Sequence, residues 1–207
     1  MQAKLLIPLL QQLLQKEQIS INQCDAIAVS AGPGSYTGLR VGVSSAKGLC
    51  FGCDKPLIAI NSLQVMAQNC MDTLQAEHPT FASPSSTSLA PETIIIPLMD
   101  ARRMEVYTAQ YTLTGEEILP TEAKIIDAES FREELVSKKV FFTGDGVEKC
   151  RSLLEHPNAR FIPLMPSAEG MRCAAHRAYQ EKKFVDLAYF EPNYLKNFVA
   201  GISRKSF

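Results

Sequence analysis

The residues of this chain that could do chemistry are few and far apart. His78, His156 and His176 are isolated in sequence. No His-Glu-x-x-His or His-x-x-x-His pair exists to set two imidazoles on one helix face around a metal. They read as surface or internally satisfied histidines. Cys50-x-x-Cys53 has the spacing of a redox dithiol or of half a zinc site. No second cysteine pair stands at zinc spacing, however. The pair also ends a small-residue helix, whereas a thiolate is favoured at a helix start, so both cysteines read as buried and inert. Ser35 and Thr37 follow a glycine turn and read as turn and capping residues, with no recognisable base to make either a nucleophile. The residues therefore predict neither a catalytic group nor a metal site.

The densest signal is Gly32–Cys50, GPGSYTGLRVGVSSAKGLC. It reads as a tight strand-to-helix turn and then a helix dotted with Gly38, Gly42, Ser45, Ala46, Gly48 and, just beyond, Gly52. Each helical glycine costs about 1 kcal/mol against alanine, so keeping several predicts close approach by a neighbouring helix. The segment lacks the Gly-Lys-Ser/Thr of a phosphate-binding Walker loop, and Thr37 stands where a dinucleotide fingerprint needs its third glycine. A helix start at Gly34, Ser35 and Thr37 could still hold an anion on free N–H groups; a turn that simply packs explains the same residues.

Other elements must position this turn. Leucines 5, 6, 9, 10, 13 and 14 recur at helical spacing, predicting an amphipathic helix over residues 3–16. A strand at 25–30, a helix at 37–51, a strand at 56–60 and a helix to about 74, capped by Asn61 or Ser62, follow. Residues 77–93, rich in Pro, Ser, Thr and Ala, read as a linker. Beyond it come paired strands at 94–99 and 105–111 and a third within 118–126. A helix from Ser130, a strand at 140–143, a helix from Gly146, a strand near Phe161 and a helix from about 167 to 181 complete the order. Removing three strands from this second half leaves the order of the first. The pattern predicts a duplicated α/β unit, with a first lobe over 1–92 that includes a linker at 77–92, and a second lobe over 93–207. The first copy lacks an opening three-stranded meander, so one edge of its sheet stays unpaired unless the start is misassigned or truncated, or something else covers it.

Composition bounds the function. Among 207 residues, 46% are hydrophobic and 21% charged, with a net charge of −1 and no basic run. A protein that holds RNA alone carries a basic stripe to neutralise phosphates, so any RNA role is expected to be shared. No apolar run approaches the ~20 residues that span a bilayer, and Met1–Leu14 lacks a basic leader and a cleavage site. Six cysteines in a chain without secretory features fit reduced thiols in the cytosol.

GPGSYTGLRVGVSSAKGL resembles the signature of the TsaB family, also called YeaZ and long filed as glycoprotease-like. Asp100–Tyr107 (DARRMEVY), Gly144–Val147 (GDGV) and Pro192–Lys196 (PNYLK) agree in order and spacing. The resemblance implies the actin/hexokinase/Hsp70-like fold of two ribonuclease-H-like lobes. It further implies a non-catalytic scaffold that pairs with a catalytic paralogue, TsaD, and works with an ATPase, TsaE. Together these put a threonylcarbamoyl group on the adenosine beside the anticodon of tRNAs that read codons beginning with A. tRNA would be met only through that complex, in the cytoplasm. No cofactor is expected on the chain alone, with room for ATP or ADP at the partner interface. Family members open with a strand hairpin that this chain does not show, and Asp100–Arg103 is bulkier and more charged than a sugar kinase's phosphate loop.

The first two helices are implied to meet their counterparts, on the paralogue or on a second copy, as a four-helix bundle. Leu6, Leu9, Leu10 and Leu13 would supply an apolar stripe, and Val41, Ser45, Gly48, Leu49 and Gly52 a close-packing groove, while both helices also cover their own sheet. The rival readings are an ATP-dependent small-molecule kinase on the same fold, a glycopeptidase, and a self-associating regulator outside tRNA modification.

Overall fold

Alternation of helix and strand in the first half yields a parallel pair. In the computed structural model, which describes residues 5–77 and 92–195, β1 (Ile27–Ser30) runs parallel to β2 (Leu57–Ile60), with Ile27 opposite Leu57 and Ser30 opposite Ile60. Helix α2 (Tyr36–Cys53) makes the crossover, and α1 (Leu6–Lys16) precedes β1. A short 3-10 turn at Ile21–Gln23, which the sequence reading missed, is opened by a reciprocal capping box of Ser20 and Gln23. Helix α3 (Ser62–Glu77) starts at Asn61, whose Oδ1 accepts the Leu63 N–H at 2.8 Å. Residues 78–91 of the expected linker, with His78, and Lys196 of the last motif lie outside the described residues.

The second half forms a five-stranded sheet in the order β5-β4-β3-β6-β7. Strands β3 (Thr93–Asp100), β4 (Glu105–Thr112) and β5 (Glu117–Ile125) make an antiparallel meander, and β6 (Lys139–Thr143) and β7 (Ala159–Ile162) add in parallel. The continuous apolar run of β3 is what a strand covered on both faces requires. Ile94, Ile96 and Leu98 pack with Val106, Val140, Phe142 and Leu154 on one face, while Ile95 and Met99 pack with Met66, Cys70 and Tyr111 on the other. Phe142 sits between Phe131 and Phe161, at 5.5 Å from each ring centroid.

The helices expected after Ser130 and Gly146 are shorter than a periodic reading suggests. Helix α4 spans only Arg132–Ser137, because Asp127 and Ser130 bond each other's backbone and side chains and keep that stretch a turn. Helix α5 (Val147–Cys150) passes at once into a 3-10 turn. The last helix likewise opens as a 3-10 turn, with Ser167 Oγ accepting the Glu169 N–H at 3.3 Å, before α6 (Arg172–Gln180).

The two halves exchange their last helices. Leu63, Met66, Ala67, Cys70 and Leu74 of α3 pack against the second sheet. Ala174, Ala175 and Ala178 of α6 pack against Ile58 and Ile60 of the first. Where the helices meet, Gly170 lies against the Val65 carbonyl, and Asn69 donates to the Ser167 carbonyl at 3.2 Å. The architecture is a mixed α/β fold of two unequal sheets, the first with two strands among the described residues and no meander.

Replacing Phe142, which is fully buried, by alanine is expected to lower the unfolding free energy by about 3–5 kcal/mol in a urea titration. Alanine at Phe51, 86% exposed, should change it by no more than about 0.5 kcal/mol.

Candidate functional site

Three faces of α2 have different neighbours. One is internal: Leu39, Val43, Ala46 and Cys50 recur at i, i+4, i+7 and i+11 and are buried. The turn that feeds this face is tight. Gly32 has φ +103°, and a Cβ there would lie 2.6 Å from the Asn193 carbonyl oxygen. The Gly32 carbonyl accepts the Ser62 N–H at 2.9 Å, and Ala31 accepts that of Asn193 at 2.7 Å. Glycine is needed here for both reasons. The Gly32–Pro33 peptide is cis.

The anion candidates lie around this turn. Gly34 sits under the Leu39 side chain, and Ser35 Oγ accepts the Gly38 N–H at 3.4 Å as an N-cap. Thr37 is exposed. Part of the donor capacity of the helix start is thus used by its own cap.

A second face carries Val41, Ser45, Gly48, Leu49 and Gly52. Gly48 and Gly52 are exposed, and a Cβ on either would meet nothing within 4 Å. The close approach those glycines imply is not made within the described residues. Helix α1 matches this. Leu6, Leu9 and Leu13 are 40%, 57% and 54% exposed, Leu10 is half-buried, and no residue of the helix is buried. Of its leucines only Leu10 and Leu14 are half-buried, so any cover that α1 gives its own sheet is partial. Strand β1, half-buried at all four positions, pairs only with β2 among the described residues.

The third face was not anticipated. Tyr36, Arg40, Ser44 and Lys47 line a groove closed by the segment Phe190–Tyr194. The Tyr36 and Tyr194 rings lie 4.8 Å apart, and the Lys47 amine donates to the carbonyls of Ala188 and Phe190 at 3.3 and 3.1 Å. The i, i+4 and i+11 spacing of Tyr36, Arg40 and Lys47 was the available signal. What faces them comes from the far end of the chain.

In the second half the structure brings together two motifs 45 residues apart. The Asp100 N–H donates to Asp145 Oδ1 at 3.0 Å, and the Gly146 N–H donates to the Leu98 carbonyl at 2.8 Å. Lys149 donates to the Asp100 carboxylate and to the carbonyls of Arg103 and Glu105, at 2.9 and 2.7 Å. This clasp holds a turn in which Arg102 and Arg103 both have positive φ, +75° and +50°, a conformation that non-glycine residues adopt at a cost of about 1–3 kcal/mol. The Lys149 hydrogen bond holds the Asp100 carboxyl below its ordinary range, against partial burial.

Cys50 is buried and Cys53 only half-buried, which corrects the expectation of two buried cysteines. Burial first and Cys53 second push the Cys50 thiol up, away from the nucleophilic form. Burial pushes Cys70 up to about 12. His156 Nδ1 accepts the Asn158 N–H at 3.2 Å, and His176 is exposed. Among the described residues, no group of three or more His, Cys, Asp or Glu could hold a metal ion. None of their helices is long and apolar enough to cross a membrane.

Residues 2–203 match the family model described as TsaD, tRNA N6-adenosine threonylcarbamoyltransferase. The tRNA threonylcarbamoyladenosine biosynthesis protein TsaB of Haemophilus influenzae is 30% identical, over 94% of this chain and 79% of that protein. The chain belongs to the TsaB family. The Escherichia coli K12 protein of the same name is also 30% identical, over 94% of this chain and 80% of its own length. The solved structure of a Pseudomonas aeruginosa protein similar to the peptidase YeaZ superposes with a TM-score of 0.74 at 26% identity, covering 95% of this chain and 85% of that one. The fold is that of the family, actin/hexokinase/Hsp70-like with ribonuclease-H-like units, as GPGSYTGLRVGVSSAKGL and its three supporting motifs implied.

The Lys149–Asp100 clasp gives a pH signature. Because the folded carboxyl titrates below the unfolded one, its contribution is complete above the unfolded value of about 3.9. It is lost as pH falls through the lower folded value. The stability difference between the wild type and Asp100→Asn should be constant between about pH 5 and 7 and shrink below about pH 4, as followed by urea unfolding. Its size should stay within about 1 kcal/mol, since the pair is part-exposed.

Proposed function

We propose that this protein is the non-catalytic subunit of a tRNA N6-threonylcarbamoyladenosine-forming complex, and that α1 and the glycine face of α2 seat the catalytic paralogue TsaD. The observation that carries this reading is the pair of unfilled surfaces. Leucines at i, i+3, i+4 and i+7 on α1 remain largely exposed, and Gly48 and Gly52 leave an open track on α2. An 11-residue helix is marginal in water without a packed apolar face, and small residues in the groove let a second backbone come close.

The family membership supplies the reaction. A net charge of −1 without a basic stripe favours reaching tRNA through the assembled complex. The ATPase TsaE completes the proposed assembly, and ATP or ADP would bind at the partner interface. The absence of catalytic activity in the chain by itself is part of the proposal. The fully buried Cys50, Cys70 and Cys150 and the isolated histidines offer no activated nucleophile to support a peptidase.

The test is to mix the purified protein with the TsaD of its own organism and measure the mass of the complex by light scattering. A one-to-one heterodimer, abolished by Gly48→Trp with the melting temperature unchanged, is expected. A chain that forms only homodimers, or a heterodimer indifferent to Gly48→Trp, would overturn the assignment of the face.

A further inference from the structure

The groove on the third face of α2 is polar, aromatic and unlike the glycine track beside it. Arg40 Nη1 donates to Tyr36 Oη at 3.2 Å, and its guanidinium lies over the Tyr36 ring, 5.5 Å from the centroid. Tyr194 packs against the same ring at 4.8 Å. The guanidinium is thereby held in place by neutral groups only. Among the described residues Arg40 makes no ion pair, although Glu191 lines the same groove. Of its five N–H donors, one is used among the described residues. Lys47, the other cation of the groove, spends its amine on the Ala188 and Phe190 carbonyls.

The surroundings are those of an interface anchor. Arg40, Ser44, Lys47 and Phe51 recur at i, i+4, i+7 and i+11 along one side of α2, ending on Phe51 at 86% exposure. Tyr189, 85% exposed, stands on the strap that Lys47 holds. At the Arg40 end, two tyrosine rings beside an oriented arginine are the composition of binding hot spots. The stripe lies next to Val41, Ser45 and Gly48 around the helix, and a helix is 10–12 Å across with its side chains. A helix seated on the glycines would therefore cover Arg40 as well.

We propose that this groove receives a carboxylate side chain of the protein partner docked on α2, paired in a fork with the Arg40 guanidinium and bordered by the Tyr36 and Tyr194 rings. The inference rests on the partner-face reading above and adds the chemistry that selects the partner. Two cations, Arg40 and Lys47, against the one Glu191 in the wall leave a single positive charge in excess, which one carboxylate would match. A phosphodiester chain needs a run of cations, which this chain of net charge −1 does not present. The planar fork is matched by a carboxylate in two parallel hydrogen bonds.

The experiment is calorimetric titration of the full chain with its TsaD. Arg40→Ala is expected to weaken the dissociation constant about ten- to thirtyfold. Arg40→Lys should fall between, keeping charge but losing the fork. Raising salt from roughly 0.1 to 0.5 M should weaken the wild-type complex more than the Arg40→Ala complex. Arg40 is exposed, so both variants should fold, and an unchanged melting temperature checks it. An Arg40→Ala affinity within twofold of wild type would overturn this inference alone. Normal heterodimer affinity with loss of tRNA binding by the assembled complex would overturn it in favour of a phosphodiester contact. No binding by the wild-type chain at all would overturn the partner face and this inference together.

Discussion

The exchange of α3 and α6 between the sheets is the packing on which the other arrangements depend. Two parallel strands flanked by helices cannot bury enough apolar surface to order themselves. Helix α3 joins both cores: Leu63, Met66 and Cys70 reach the second sheet, while Val65 belongs to the cluster of Ile58, Ile60 and α6. A polar seam fixes the register of the exchange. Ser30 and Ser62 share a 2.6 Å hydrogen bond, Asn61 donates to Thr121 at 2.8 Å, and Asn69 ties the start of the last helical segment to α3. Without Gly170 against the Val65 carbonyl, the two helices could not approach as they do.

That exchange also decides where the chain ends up. Because α6 lies on the first sheet, the residues after it return across the same half. Val185 donates to the Leu57 carbonyl at 2.9 Å, Leu187 and Phe190 pack on the cluster of Ala46, Cys50 and Leu57, and Asn193 meets the turn at Ala31 and Gly32. Tyr194 reaches Tyr36 as a consequence. The groove beside Arg40 thus belongs to α2 on one wall and to the end of the described chain on the other. It exists only because the second half hands its last helix to the first.

The order of elements was legible because each carries its own periodicity: leucines at helical spacing in α1, an unbroken apolar run in β3, and Gly32-Pro33-Gly34 before α2. The missed pieces depend on polar local bonds. The capping box at Ser20–Gln23 adds a 3-10 turn between α1 and β1, and the Asp127–Ser130 turn delays α4, in ways that apolar spacing does not report. Of the site, the leucines of α1 and the glycines of α2 were singled out through the family resemblance, and the structure leaves Leu6, Leu9, Leu13, Gly48 and Gly52 exposed. Arg40 with Tyr194 was not, because nothing within a dozen residues of Arg40 says that Tyr194 will stand beside its tyrosine. The clasp of Lys149 on Asp100 was hidden for the same reason: it joins two motifs that were each visible and whose contact was not.

The two sheets divide the work unequally. In the second, β3 is covered on both faces, and the aromatic stack around Phe142 closes the core. In the first, β1 is half-buried throughout, and α1 buries none of its residues. A glycine in an exposed helix interior costs about 1 kcal/mol against alanine. At Gly48 and Gly52 the described residues offer no contact that a Cβ would obstruct, so nothing among them offsets that cost. A partner surface seated on α2, as proposed above, would supply that offset. The first half thus leaves more of its apolar surface open than the second does.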